Sequence, residues 1–112
     1  MTMTEDYAQL LASRGVSLGK LGLREVALRR EDALGAIRAL KESSMPILGG
    51  DVYFERQGNV EPAYANWYVE RQDAESRKDF ADRSCLKAES YVVGFPEAKD
   101  KQPLFVLVPS SE

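Results

Sequence analysis

The chain has 112 residues and no histidine. That removes the commonest general base, the commonest metal ligand and the usual partner of a nucleophilic serine or cysteine. It has a single cysteine, Cys85, which excludes an internal disulfide and fits a reducing compartment. No apolar run approaches the roughly 18 residues of a membrane span, so no membrane partner is expected. The opening residues, Met1-Thr-Met-Thr-Glu-Asp6, lack the basic-then-apolar order of a secretory signal, and the expected location is the cytoplasm. Positive charge is not in excess: 15 Lys and Arg stand against 18 Asp and Glu, mixed along the chain, for a net charge of −3. A nucleic-acid binder would normally carry a basic stripe, so nucleic acid is not an expected partner. A mildly acidic surface suits a basic protein partner instead. Repeats and low-complexity segments are also absent. The remaining composition, 44% hydrophobic and 29% charged, is ordinary for a globular protein, and the length suits one domain with its own core.

Within that frame the pattern reads as an α+β chain. Residues 1–15 suit a first helix, with Thr4 placed to cap it, Glu5 and Asp6 at its positive end, and Gly15 as terminator. Residues 16–45 combine a glycine-broken covering segment, anchored by Leu18, Leu21 and Leu23, with a helix. Arg24 to Leu28 fits a short edge strand or an extended lead-in. The helix carries the apolar stripe Ala33, Leu34, Ile37 and Leu40 and stops before Pro46. Residues 72–95 read as a third helix, with Ala81, Ser84, Cys85, Ala88, Tyr91 and Val92 on one face, flanked by Phe80 and Leu86. Gly94 and Pro96 end it. Residues 103–109, bracketed by prolines, form a last strand that is apolar on both sides. The expected architecture is a small antiparallel sheet, made of the hairpin 46–70 and the C-terminal strand 103–109, with about three helices packed mainly on one face. The last strand would lie beside the first hairpin strand.

The hairpin is the most informative segment. Gly58-Asn59 is a two-residue turn signal, because glycine and asparagine tolerate positive φ. Closing the turn there pairs Phe54 with Ala63, Val52 with Ala65, Gly50 with Trp67 and Leu48 with Val69 on an apolar face. The other face pairs Glu55 with Pro62, Tyr53 with Tyr64, Asp51 with Asn66 and Gly49 with Tyr68. One face is dry, with the Trp67 ring over a bare glycine; the other is tyrosine, amide and carboxylate. Tyrosine offers large contact area and a polar tip at little entropic cost, so interfaces favour it. Asp51, Tyr53, Glu55, Tyr64, Asn66, Tyr68 and Glu70 are therefore the candidate partner-binding residues. Cover of these tyrosines by another part of the chain is the alternative.

Other chemistry is poorly supported. Asp51 and Glu55 are about 13 Å apart along one strand at ordinary rise, too far for a shared metal or for paired acid–base work. Gly49-Gly50 lacks the Lys-Ser/Thr of a phosphate loop. Cys85 sits mid-helix on the apolar face, where a thiol is a small core residue. No catalytic residue, metal or cofactor is expected.

Four stretches have a familiar wording: Gly15-Val-Ser-Leu-Gly-Lys-Leu-Gly-Leu-Arg-Glu-Val-Ala-Leu28, Arg30-Glu-Asp-Ala-Leu34, Pro46-Ile-Leu-Gly-Gly-Asp-Val-Tyr53 and Asn66-Trp-Tyr68. Together, over roughly residues 15–92, they resemble the Immunity protein 40 family. The resemblance implies a small bacterial protein of a polymorphic toxin system, which neutralises a cognate toxin by binding it rather than by catalysis. It supplies no binding residues, so the tyrosine face remains a reading of the strand pattern. Three rival readings stand beside it: a small enzyme using carboxylates, which the absence of histidine and the spread of the acids count against; a sensor with a small-molecule or peptide pocket around Trp67; and a self-associating module in which the tyrosine face makes a two-fold homodimer.

Overall fold

The computed structural model describes residues 3–110, with side chains for residues 6–110. The cap expected at Thr4 lies outside the described side chains. Helix α1 (Met3–Arg14) is followed by β1 (Val16–Ser17), a single 3-10 turn (Gly19–Leu21), β2 (Val26–Arg29) and α2 (Arg30–Glu42). The hairpin β3 (Ile47–Arg56) and β4 (Asn59–Tyr68), helix α3 (Arg77–Gly94) and β5 (Gln102–Pro109) complete the chain.

The order of strands follows from β5. Leu104-Phe-Val-Leu107 is buried on both sides, which only an interior strand with two covered faces can satisfy. β5 accordingly lies between β2 and β3 in a five-stranded sheet of order β1-β2-β5-β3-β4, with all neighbours antiparallel. On the inner face, α2 and α3 bury Ile37, Leu40, Cys85, Ala88 and Val92 against Leu28, Val52, Trp67, Phe105 and Leu107. Helix α1 adds Tyr7, Leu10 and Leu11 at the margin. On the outer face, the segment between α1 and β2 folds back over the sheet. Leu18 is fully buried there with Ala27, Leu104 and Val106, and Val16, Tyr53 and Val60 pack around them.

Two polar contacts fasten the helices. Ser84, the one buried polar residue among those described, accepts a hydrogen bond from the Ile47 backbone N–H (3.0 Å) and so ties α3 to the start of β3. Arg30 opens α2 and reaches the C-terminal end of α3, where it donates to the carbonyls of Val92 (2.5 Å) and Phe95 (3.0 Å) and pairs with Glu97 (3.0 Å). The last carbonyls of a helix have no partner within it, so a guanidinium there satisfies them and suits the negative end of the dipole.

The α+β class, the helices on one face and the adjacency of β4, β3 and β5 are as the sequence predicts. Several details differ. The turn is Gln57-Gly58, both at positive φ (50° and 84°), so Arg56 pairs with Asn59, Glu55 with Val60, Phe54 with Glu61 and Tyr53 with Pro62. The expected pairs of Phe54 with Ala63, Glu55 with Pro62 and Tyr53 with Tyr64 are not formed. A bulge opposite Val52 and Tyr53 then absorbs Ala63 and Tyr64, and Val52–Ala65, Asp51–Asn66, Gly50–Trp67 and Gly49–Tyr68 pair as expected. A second irregularity, between Ile47 and Gly49, turns Leu48 outward to 38% exposure and gives its inner place to Ile47. Helix α3 begins at Arg77, capped by Ser76, whose hydroxyl accepts from the Asp79 N–H; it does not begin at residue 72. Leu86 is solvent-facing, and Leu23 is no anchor, since Leu18 alone is fully buried in the covering segment. β2 is not an edge, because β1 pairs with its far side.

Candidate partner-binding surface

Three rows of side chains cross β5, β3 and β4 on the outer face: Leu104–Tyr53–Pro62, Val106–Asp51–Asn66 and Val108–Gly49–Tyr68. The covering segment reaches the first row. Tyr53 packs against the Leu18 cluster, and burial, helped by the charges of Asp51 and Glu25, pushes its hydroxyl pKa up. The other two rows leave Asp51, Asn66, Tyr68 and Val108 exposed, Tyr68 at 72%. Tyr64 stands 92% exposed in the bulge at φ 57°, a conformation uncommon for a residue with a Cβ. Bulges re-aim a side chain in this way.

Glycine shapes the open part of this face. A Cβ on Gly49 would lie 2.2 Å from the Trp67 carbonyl oxygen, and one on Gly50 would lie 2.3 Å from Cη2 of the Trp67 ring. The bare backbone lets β4 close on β3 and lets the indole lie flat beneath it, stacked on Tyr91 with centroids 4.6 Å apart. On the outside, where Gly49 has no side chain, lies a shallow hollow of about 320 Å³ bordered by Leu48, Asp51, Asn66, Tyr68 and Val108.

The predicted residues thus separate. Asp51, Asn66, Tyr64 and Tyr68 share the open part of the outer face. Tyr53 is partly covered. Glu55 is engaged within the chain by Arg29 at 3.1 Å. Glu70 lies beyond the end of β4, where its carbonyl accepts from Arg83 (2.7 Å). Arg83 also forks onto Glu75 at 2.7 and 2.9 Å, and these hydrogen bonds hold the Glu75 carboxyl well down, to about 2. Leu48 and Val108 also border the open face; the strand pattern puts Leu48 on the apolar face with Val69 and gives Val108, in a strand apolar on both sides, no face of its own. Cys85 is buried, and desolvation pushes its thiol up to about 11, far from a nucleophile. Among the described residues no three of His, Cys, Asp or Glu are grouped to hold a metal ion, and no helix is long and apolar enough to cross a membrane.

Fold and surface together define a small α+β protein with helices behind a five-stranded antiparallel sheet and a partly covered front. Its sequence matches the family described as Immunity protein 40 over residues 17–109, from β1 to the last residue of β5, and the chain belongs to that family. No curated protein and no solved structure matches it significantly.

Proposed function

We propose that this chain is a cytoplasmic immunity protein that binds a cognate bacterial toxin and neutralises it by covering a surface the toxin needs, without catalysis. Membership of the family supports the class of function. The observation that carries the choice of surface is the pair of tyrosines, 92% and 72% exposed, on a sheet otherwise well packed behind them. Tyr64 and Tyr68 would be the anchors, Asn66 a hydrogen-bonding neighbour, and Asp51 the partner of a toxin Lys or Arg. Tyr53 and Glu55 would act at the margin, since the chain's own groups already occupy them. Large aromatic anchors on a rigid strand lose little entropy on docking. The chain's negative charge would speed encounter with a basic toxin, an effect that salt weakens.

The test is co-expression with the toxin encoded beside this chain, followed by growth rescue and an affinity measurement on an inactivated toxin. Truncating an interface aromatic costs about 2 kcal/mol at a hot spot, roughly a 30-fold loss of affinity. Tyr64→Ala and Tyr68→Ala should each weaken binding by about that much while leaving thermal stability nearly unchanged. A folded double variant that binds and protects like wild type would sink this choice of surface. Loss of self-association in place of toxin binding would favour the homodimer reading.

A further inference from the structure

Leu48 borders both the hollow on the outer face and a second groove, of about 490 Å³, at the end of the sheet. Its apolar lining comes from Leu48 and Val69, with the buried Pro46 and Phe80 behind them. Arg71 and Arg77 flank it, with one carboxylate, Glu70, on the same rim. Neither arginine makes an ion pair within 4 Å among the described residues, although the Arg71 charge also helps to lower the Glu75 carboxyl. Arg71 uses only its Nε, donating to the Glu75 carbonyl at 2.9 Å, and Arg77 donates only to the Met45 sulfur at 3.6 Å. A thioether is a poor acceptor for a guanidinium, and Arg77 is half-buried. Two planar donors with spare N–H groups beside an apolar floor complement a carboxylate carried next to an apolar side chain.

Resting on the immunity reading above, we infer that this groove receives a segment of the toxin in which an acidic group neighbours an apolar residue, with Arg71 and Arg77 binding the acid and Leu48 and Val69 the apolar group. The toxin surface would then be two-signed: basic over Asp51 and acidic over the groove. Oppositely charged neighbouring contacts fix the register of a complex, because a shifted or rotated pose brings like charges together.

The experiment measures affinity for the inactivated cognate toxin with four chains: wild type, Arg71→Ala/Arg77→Ala, Arg71→Lys/Arg77→Lys, and Leu48→Glu. The alanine pair should weaken binding by about 100-fold and the lysine pair by less than about tenfold, since lysine keeps the charge and loses only the fork. Leu48→Glu puts a carboxylate into the groove without removing either arginine, and should weaken binding as much as the alanine pair. It also keeps the test decisive if the alanine pair unfolds. Wild-type affinity in Leu48→Glu or in a folded alanine pair overturns the inference. Equal losses for the alanine and lysine pairs also overturn it, because shape rather than charge would then matter. A dimer that the alanine pair abolishes, with toxin affinity unchanged, assigns the groove to a second copy and overturns it too. If the wild-type chain forms no complex with the toxin, the immunity reading itself fails and takes this inference with it.

Discussion

Gly50→Ala is the smallest change that probes the centre of this fold. The new methyl would sit 2.3 and 2.6 Å from two carbons of the Trp67 ring and 2.5 Å from the Val106 carbonyl oxygen. Real Cβ contacts of that length do not occur, so something must move. The Val106 oxygen belongs to β5, the interior strand, and cannot retreat without breaking the ladder on one side or the other. The indole cannot retreat either, since Tyr91 stacks on its far side at 4.6 Å. Overpacking a core typically costs about 1–3 kcal/mol. With one clash against backbone and two against a clamped ring, the upper end applies, about 3 kcal/mol. For 112 residues the unfolding entropy near 60 °C is about 0.24 kcal/mol/K, so the melting temperature should fall by about 13 °C. Thermal unfolding followed by circular dichroism reads the loss, and Trp67, the only tryptophan, reports the local repacking by fluorescence. Trp67→Phe removes both clashing ring carbons, so Gly50→Ala should cost at least about 1 kcal/mol less in that background. A Gly50→Ala protein that melts within 2–3 °C of wild type would refute the argument, as would additive effects in the double variant.

Two further predictions concern the helix ends. Arg30→Ala leaves the carbonyls at the end of α3 without their donor, which for hydrogen bonds to a charged group should cost about 1.5–3 kcal/mol in urea unfolding and speed amide exchange in the last turn of α3. The Glu75 carboxyl is held to about 2 when folded, below its ordinary value near 4.5. A depressed carboxylate contributes stability above its unfolded pKa and loses it as pH falls through the folded one. Wild type should therefore lose stability relative to Glu75→Gln between about pH 4.5 and 2, and the difference between them should be constant above pH 5.5; acid titrations of both melting temperatures test this.

The hairpin shows what a sequence can and cannot disclose. Gln57-Gly58 and Gly58-Asn59 are competing two-residue turns, and Asn-containing pairs have the better local preference. The fold uses the first, placing Gln57 at φ 50°. Pairing near the turn is therefore two residues out from expectation, and the Ala63-Tyr64 bulge returns it to the expected register at Val52–Ala65. Because side chains alternate with period two, a two-residue offset keeps every residue on its own face. That is why Gly50 under Trp67 and the exposed Asp51, Asn66 and Tyr68 were legible although the turn was misplaced. The bulge itself was not legible, since no local signal distinguishes Ala63-Tyr64 from ordinary strand. The covering segment was recognisable only as glycine-broken and leucine-bearing. Its path is set by a distant requirement, the outward side chains Leu104 and Val106 of β5. Nothing in the sequence pattern singles out Arg71 or Arg77. Only the reversal of chain at residues 71–76 brings them to Pro46 and Leu48.

This arrangement also explains why the two halves of the outer face have different chemistry. A strand buried on both sides must be roofed where its outward residues are large and apolar, so Leu104 and Val106 require Leu18 above them. Beyond Val106 the row changes to Val108–Gly49–Tyr68, in which the middle residue has no side chain. Less apolar surface needs cover there, and the covering segment turns back to β2. What remains is a shallow, glycine-floored hollow rimmed by an acid, an amide and a tyrosine, with a second tyrosine lifted clear by a bulge. Glycine at this point serves two ends at once. Inward it admits the indole that knits β4 to α3; outward it leaves the hollow between Leu48, Asp51, Asn66, Tyr68 and Val108. A side chain at Gly49 would damage the pairing of the strands and the hollow together. One at Gly50 would act first on the indole, and so on stability.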